Sequence, residues 1–226
     1  MEKSQYNLCL EILRRFDNKG LLSYFILIGS WSIVFYEAYF KKKPDFALRT
    51  RDLDFLIDKP HAIKAKVDIP DLLKDLGFVV SFTGKGYMSL SHSELILEFL
   101  VPEKGKGVEK PVSLPTLGMN ATALRFLSFL SENVIQIKVE DFKITLPHPV
   151  HFALHKLIVS QRPERKKDKA IKDRDAAVAI FKALIAKGDE VSLRKTFNKL
   201  PSNWQKMVIK GLDLSAEPQL QDILIT

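Results

Sequence analysis

Two aspartates stand directly before an apolar segment, in the run Arg49-Thr50-Arg51-Asp52-Leu53-Asp54-Phe55-Leu56-Ile57. Residues two apart on a β-strand share a face, so both carboxylates are expected on one side of a sheet. Neighbouring carboxylates repel each other unless a cation lies between them, and magnesium prefers oxygen ligands. The pair therefore predicts a magnesium site. The alternative is a charged strand entrance in which Arg49 and Arg51 pair with the aspartates.

A third carboxylate, Glu98, interrupts the otherwise apolar stretch 95–101. Burying an unpaired carboxylate is costly, so proteins usually supply a partner or a metal ion. Two interpretations stay open here. Glu98 is either a further metal ligand or an edge-strand glutamate that faces solvent or a nearby lysine.

An apolar strand runs directly into Gly29-Ser30, and a helix is predicted to follow. Glycine lets the backbone turn sharply and approach a ligand closely. The first N–H groups of a helix attract phosphate. Taken alone, the same residues also suit a plain strand-to-helix turn with Ser30 as the N-cap.

Together these three elements resemble the polymerase-β-like nucleotidyltransferase superfamily. In that superfamily a strand ends in Gly-Ser or Gly-Gly, a helix follows, the next strand carries Asp-x-Asp, and a later strand carries a third acid. The Arg49-x-x-Asp52-x-Asp54 spacing looks like a bacterial branch of uncharacterised nucleotidyltransferases, which is similar to the toxin enzymes of abortive-infection systems. The resemblance covers roughly residues 22–180. Further motifs of that branch follow in order: Leu124-Arg125-Phe126-Leu127, Pro147-His148-Pro149, His155-Lys156-Leu157 and Lys172-Asp173-Arg174-Asp175.

The resemblance implies a mechanism in which two Mg²⁺ ions, or Mn²⁺ in their place, lie about 4 Å apart at the α-phosphate of a nucleoside triphosphate such as ATP. Asp52 and Asp54 would hold both ions, and Glu98 would hold the ion that activates the acceptor hydroxyl. The implied nucleotide-binding residues are Gly29, Ser30, Arg49 and Lys156. Lys156 is alternatively an ordinary exposed helix lysine.

The sequence departs from the superfamily pattern in two places. The gap between Gly-Ser and Asp-x-Asp is longer than usual, with 41–49 as the apparent insertion. The third acid is Glu rather than the commoner Asp, and its longer side chain can still reach a metal ion.

The resemblance implies transfer of a nucleoside monophosphate but leaves the acceptor open. An RNA end such as that of tRNA, a protein hydroxyl and a small-molecule hydroxyl all remain, and a toxin-like enzyme would have an antitoxin-like partner protein. The alternative function is a non-catalytic relative that binds nucleotide or nucleic acid. The intact Asp-x-Asp motif argues against that alternative.

The elements that must position these residues follow from apolar periodicity. Helices are predicted at 3–18, 31–40 and 69–76, strands at 22–28, 53–57, 78–82, 87–90 and 95–101, a loop at 102–118, and a hairpin from 134–138 and 142–146. After Pro147 the pattern becomes helical, at 149–160, 166–187 and 189–199, with one or two short helices beyond. We therefore predict an α/β (α+β) fold. Residues 1–146 would form a nucleotidyltransferase core with a mixed sheet flanked by helices, and 147–226 a helical C-terminal domain.

Composition limits the class of protein. The chain has 226 residues, 46% of them hydrophobic, and a net charge of +8. The positive charge favours polyanionic partners such as triphosphates, nucleic acid or an acidic surface. The single cysteine, Cys9, excludes a disulfide framework and a cysteine-based zinc site. Residues 21–40 are as long as a membrane span, but Gly29 and Glu37 favour a strand followed by a helix, in a soluble cytoplasmic protein without membrane attachment.

Two weaker signals need an explanation. His151 and His155 have a spacing that suits metal ligands on a helix, but no metalloprotease glutamate follows the first histidine, so a structural role is favoured. Residues 161–174 hold seven basic and three acidic side chains. Such a run is usually a solvated helix face. The alternative is a contact with a polyanion, although no aromatic residues are interleaved for base stacking.

Overall fold

The computed structural model describes residues 3–46, 50–103 and 110–225. They fall into two compact units, the first within residues 1–32 and 47–147 and the second within 33–46 and 148–226. The segment 33–46 thus groups with the helices that follow Pro147, although it lies far from them in sequence.

The first unit contains a mixed sheet. Its strands in the described residues are β1 (Ile26–Ile28), β2 (Asp52–Leu56), β3 (Val79–Phe82), β4 (Met88–Ser91), β5 (Ile96–Pro102), β6 (Val112–Leu114), β7 (Met119–Leu124), β8 (Val134–Val139) and β9 (Phe142–Pro147). The main path runs β3-β4-β5-β2-β1-β9-β8, while β7 pairs with both β5 and β6. The pairs β2–β5, β1–β9 and β5–β7 are parallel and the others antiparallel. The predicted mixed sheet is confirmed.

Helices accompany this sheet, and most of their bounds agree with the sequence pattern. They are α1 (Lys3–Asn18), α3 (Ile69–Leu73) and α4 (Leu127–Ser131). The predicted strand 22–28 is shorter than expected, because residues 22–24 form a 3₁₀ turn before β1. Strand β6 lies inside the predicted loop, and β7 and α4 were not predicted. Short apolar runs of this length do not distinguish a strand from a helical turn.

Aromatic packing supports β2 and β5 from one side. Phe16 of α1 lies 5.4 Å from Phe55 and 6.3 Å from Phe99, measured between ring centroids. Phe25 lies 5.7 Å from Phe55, and Phe55 stacks on Phe99 at 5.5 Å. These four rings are at most 2% exposed. Together the four rings form an aromatic floor, which is a buried cluster against one face of β2 and β5.

An apolar cluster covers part of the other face of the same strands. It consists of Ile28, Leu56, Leu100, Leu127 and Leu130. The last two residues belong to α4, so this short helix covers the carboxyl ends of β2 and β5. The amino-terminal half of that face carries Asp52, Asp54 and Glu98 together with Ile96.

The second unit is helical. It contains most of α2 (Trp31–Phe40), then α5 (Pro149–Ser160), α6 (Lys167–Lys187), α7 (Glu190–Asn198), α8 (Ser202–Asp213) and α9 (Asp222–Ile225). Helix α5 is its centre, because it packs against α6, α7 and α8 and ten of its twelve residues are buried. In the described part of the chain, no helix combines the length and apolar character that crossing a membrane requires.

Candidate active site

Strand register brings the three carboxylates to one face of the sheet. Strands β2 and β5 are parallel, with Asp54 directly opposite Glu98 and Asp52 opposite Ile96. Partners in register point to the same side, and Asp52 shares that side because it lies two residues from Asp54. Both aspartates are half-buried and Glu98 is exposed. Their backbone neighbours Phe55 and Phe99 point the other way, into the aromatic floor.

The end of β1 completes this arrangement. Strand β1 is antiparallel to β2 with Ile28 opposite Asp54, so Gly29 leaves the sheet beside that carboxylate. Gly29 has a φ of +71°, and a Cβ at this position would overlap Oδ2 of Asp54, with Cγ 3.4 Å away. Glycine is therefore needed twice, for the left-handed turn and for the close approach. Helix α2 begins two residues later, at Trp31.

Replacing Gly29 by alanine tests this close approach. The new methyl group would push the flexible Asp54 carboxylate from its position, and the positive φ would add about 1–2 kcal/mol of strain. Gly20→Ala is a matched control, because Gly20 has a φ of +68° and nothing within 4 Å of its added Cβ. We expect both variants to melt at similarly lowered temperatures and only Gly29→Ala to lose the activity of this site, by about 100-fold. Equal activity of the two variants would contradict the close approach.

The residues on this face fit magnesium in chemical type, and the strand register sets them on neighbouring strands. Carboxylate oxygens are the ligands that magnesium prefers, and neighbouring strands place their side chains about 5 Å apart. As the side chains stand, no three His, Cys, Asp or Glu groups in the described residues lie close enough together to hold a metal ion. Binding therefore requires the carboxylates to turn toward a common point, and their partial exposure permits such rotation.

Two arginines, Arg49 and Arg51, precede the aspartates in sequence. The Arg51 guanidinium donates to the His92 carbonyl oxygen at 2.5 Å, across the entrances of β2 and β5. Arg49, which we predicted to bind nucleotide, lies outside the described residues.

Lys156 lies in the second unit, where it forms a buried ion cluster. Its ammonium group donates to Asp173 at 2.8 Å, and Arg165 donates to the other Asp173 oxygen at 2.7 Å. Asp173 is 2% exposed. Burial alone would raise the pKa of Asp173, but Lys156 and Arg165 together lower it. The sequence analysis named both Lys156 and, within the motif Lys172-Asp173-Arg174-Asp175, Asp173, but it did not predict that the two pair. The role of Lys156 in nucleotide binding stays a prediction.

The two histidines within α5 are buried, and a third histidine caps this helix. His151 and His155 are both buried, and burial, followed by the charge of Lys156, lowers the pKa of His155 to about 3. His148 caps the helix by accepting from the Val150 N–H at 3.3 Å. Its other ring nitrogen lies 3.3 Å from the Tyr39 hydroxyl. The sequence contained no signal for this contact, because 109 residues separate the two.

Six of the seven basic residues in the run at 161–174 are either paired or exposed. Arg162 pairs with Glu164, and Arg165 with Asp173. The remaining lysines at the start of α6 are exposed: Lys166, Lys167, Lys169 and Lys172. This pattern agrees with a solvated helix face.

Comparison with known proteins points to one family. A family model described as "Nucleotidyltransferase" matches residues 7–201. No curated protein sequence matches the chain significantly. Among solved structures, the chain resembles the crystal structure of ANT(2")-Ia in complex with adenylyl-2"-tobramycin, with 12% identity, a TM-score of 0.47 and coverage of 86% of this chain and 99% of that one. It also resembles the solution structure of the antibiotic-resistance factor ANT(2'')-Ia, with 14% identity, a TM-score of 0.48 and coverage of 88% and 93%.

Proposed function

The chain belongs to the nucleotidyltransferase family whose model matches residues 7–201, and on that premise we propose that it transfers a nucleoside monophosphate from a triphosphate to an acceptor hydroxyl. Asp52, Asp54 and Glu98 carry the reaction by holding two divalent ions. The observation that supports this proposal most strongly is the register of β2 and β5, which sets Asp54 beside Glu98 next to the glycine turn at Gly29.

The transfer balances as a displacement at phosphorus. The acceptor oxygen forms a bond to the α-phosphorus. The bond from that phosphorus to the oxygen that joins the α- and β-phosphates breaks, and pyrophosphate leaves. Bound magnesium would neutralise the triphosphate charge and lower the pKa of the acceptor hydroxyl. Asp52 and Asp54 would hold the ions that orient the α-phosphate, and Glu98 accepts the proton that the acceptor hydroxyl loses. The exposure of Glu98 suits a group that must pass this proton on to solvent.

The turn after β1 would bind the β- and γ-phosphates of the triphosphate. Ser30 and the first N–H groups of α2 bind the β- and γ-phosphates, because a helix start carries unpaired donors and a positive dipole end. Gly29 permits the phosphates to approach the backbone closely. Arg49 and Lys156 would neutralise further phosphate charge. For Lys156 this requires its ammonium group to exchange Asp173 for phosphate.

The positive net charge of the chain favours a negatively charged acceptor. A net charge of +8 favours an acceptor that is itself negatively charged, such as an RNA end, over a cationic small molecule. A protein hydroxyl remains the second candidate. An acidic antitoxin-like partner protein would suit the same charge.

The test supplies each of the four nucleoside triphosphates, labelled at the α-phosphate, together with magnesium and either total RNA or cell extract. We expect one triphosphate to label one class of acceptor, and we expect a chelator to abolish the labelling. A chain that binds triphosphate with magnesium but labels neither RNA, protein nor small molecules would instead be a non-catalytic relative. A chain that neither binds nor transfers would contradict the proposal as a whole.

A further inference from the structure

One side-chain amide joins the entrances of the two strands that carry the carboxylates. Gln5, in the first turns of α1, donates from Nε2 to the Thr50 carbonyl oxygen at 2.9 Å and to the Glu94 carbonyl oxygen at 3.1 Å. Gln5 is half-buried. Its two amide hydrogens thus bridge backbone segments that lie 45 and 89 residues away in sequence.

Both acceptors lie just upstream of the proposed metal ligands. Thr50 precedes Asp52 by two residues, and Glu94 precedes Glu98 by four. The entrances are also joined directly, because the Ile96 N–H donates to the Arg51 carbonyl oxygen at 2.8 Å. Gln5 therefore closes a small ring of hydrogen bonds at the entrance of the β2–β5 strand pair.

We propose that Gln5 is a positioning residue for the active site, which sets the distance between the Asp52–Asp54 pair and Glu98. This inference rests on the proposed function. Gln5 does not touch the reacting groups. Its amide fixes two carbonyl oxygens at one separation, and any drift of β2 relative to β5 would part the carboxylates. Catalytic groups need placement to within about 0.5 Å, and a misplacement of about 1 Å can cost about 100-fold in rate.

The docking of α1 does not depend on this bridge. The helix buries the apolar side chains of Cys9, Leu10, Ile12, Leu13 and Phe16. At its other end, Arg15 donates to the Leu72 carbonyl oxygen at 2.8 Å and pairs with Asp75. Gln5 also precedes residue 7, where the match to the family model begins. The bridge is therefore a feature of this chain that the family match does not assign.

The test compares Gln5→Met with Gln205→Met. Methionine keeps the length and volume of glutamine but donates no hydrogen bond. Gln205 is a matched control, because its Nε2 lies within hydrogen-bond distance of three backbone carbonyls, the best of them Leu200 O at 3.0 Å, in the helical unit. Each variant loses its amide-to-carbonyl hydrogen bonds.

Two measurements separate positioning from general stability. In steady-state transfer, Gln5→Met should lower kcat by about 10–100-fold and change the KM for the triphosphate by less than about threefold, while Gln205→Met keeps the wild-type kcat. In native-state hydrogen exchange, the Ile96 amide should exchange faster in Gln5→Met. The Ile57 amide, which donates to Leu100 O at the far end of the same strand pair, should keep its protection.

The outcomes distinguish this inference from the proposed function. If the wild type transfers no label, the proposed function fails, and faster exchange at Ile96 alone would still establish Gln5 as the bridge that sets strand spacing. If Ile96 and Ile57 change equally, or if kcat in an active enzyme stays at the wild-type value, the positioning role is overturned.

Discussion

Asp54→Asn should lower nucleotidyl transfer by at least about 10³-fold while the chain stays folded. The substitution removes a ligand charge but almost no volume. Asp54 lies at the centre of the candidate site. Glu98 is its partner on β5, and Gly29 lies next to its Oδ2 atom. Its loss therefore affects the whole site, because the metal ions that would neutralise the triphosphate charge lose a ligand.

The melting temperature of Asp54→Asn should not fall as its activity does. Without metal, fewer repelling carboxylates remain on the face, so Asp54→Asn should melt at the wild-type temperature or slightly higher. Magnesium with triphosphate should stabilise the wild type, by about 2.7 kcal/mol at a hundredfold excess over Kd, and the mutant should lose most of this gain.

A second substitution controls for the loss of an aspartate close to the same strand. Asp58 follows the far end of β2 and accepts a hydrogen bond from Ser131 at 2.9 Å, which asparagine can also accept. Asp58→Asn should keep wild-type activity. If Asp54→Asn responds to magnesium and triphosphate as fully as the wild type does, the assignment of Asp54 as a metal ligand is wrong.

Asp173→Asn should produce the largest loss of stability. The change leaves Lys156 and Arg165 facing each other without the carboxylate that both contact, and their side chains are only 12% and 32% exposed. Breaking a buried ion pair in this way costs about 3–5 kcal/mol. For a chain of this size the melting temperature should fall by about 6–20 °C. Asp175→Asn, two residues further along α6 and exposed, should change it by no more than about 2 °C.

The pH dependence of the same variant follows from the direction of the pKa shift. The native pKa of Asp173 is lowered, so its contribution to stability is fully present above the unfolded value of about 3.9. That contribution is lost as the pH falls from there through the native pKa. Wild type and Asp173→Asn should therefore differ most in melting temperature near neutral pH and converge below about pH 3.9. A constant difference across this range would show that Asp173 contributes by packing and not by charge.

Local sequence signals were sufficient to predict the strands and turns that carry the candidate site residues. The change from apolar strand to Gly29-Ser30 marks the end of β1, and the two-residue spacing of Asp52 and Asp54 determines their common face. Glu98 was recognisable because a charge interrupts an apolar strand. Each of these signals depends on a few consecutive residues and on the period of a strand.

Contacts between distant segments had no such signal. The buried pairing of Lys156 with Asp173 depends on how α5 packs against α6, and the bridge from Gln5 depends on two backbone carbonyls. Backbone acceptors exist at every residue, so composition cannot indicate which of them a glutamine will reach. Helix α4 was missed for a related reason, because five residues do not complete enough turns to show a helical period.

The central claim is that Asp52, Asp54 and Glu98 bind the catalytic metal ions, and anomalous X-ray diffraction tests it most directly. Crystals would be grown with Mn²⁺ and a non-hydrolysable triphosphate, for the wild type and for Asp54→Asn. We expect two anomalous peaks about 4 Å apart in the wild type, each within about 2.3 Å of carboxylate oxygens of Asp52 and Asp54 and one of them beside Glu98. We expect at least one peak to disappear in Asp54→Asn. Manganese bound elsewhere in a crystal that contains the triphosphate, or two unchanged peaks in Asp54→Asn, would contradict the account.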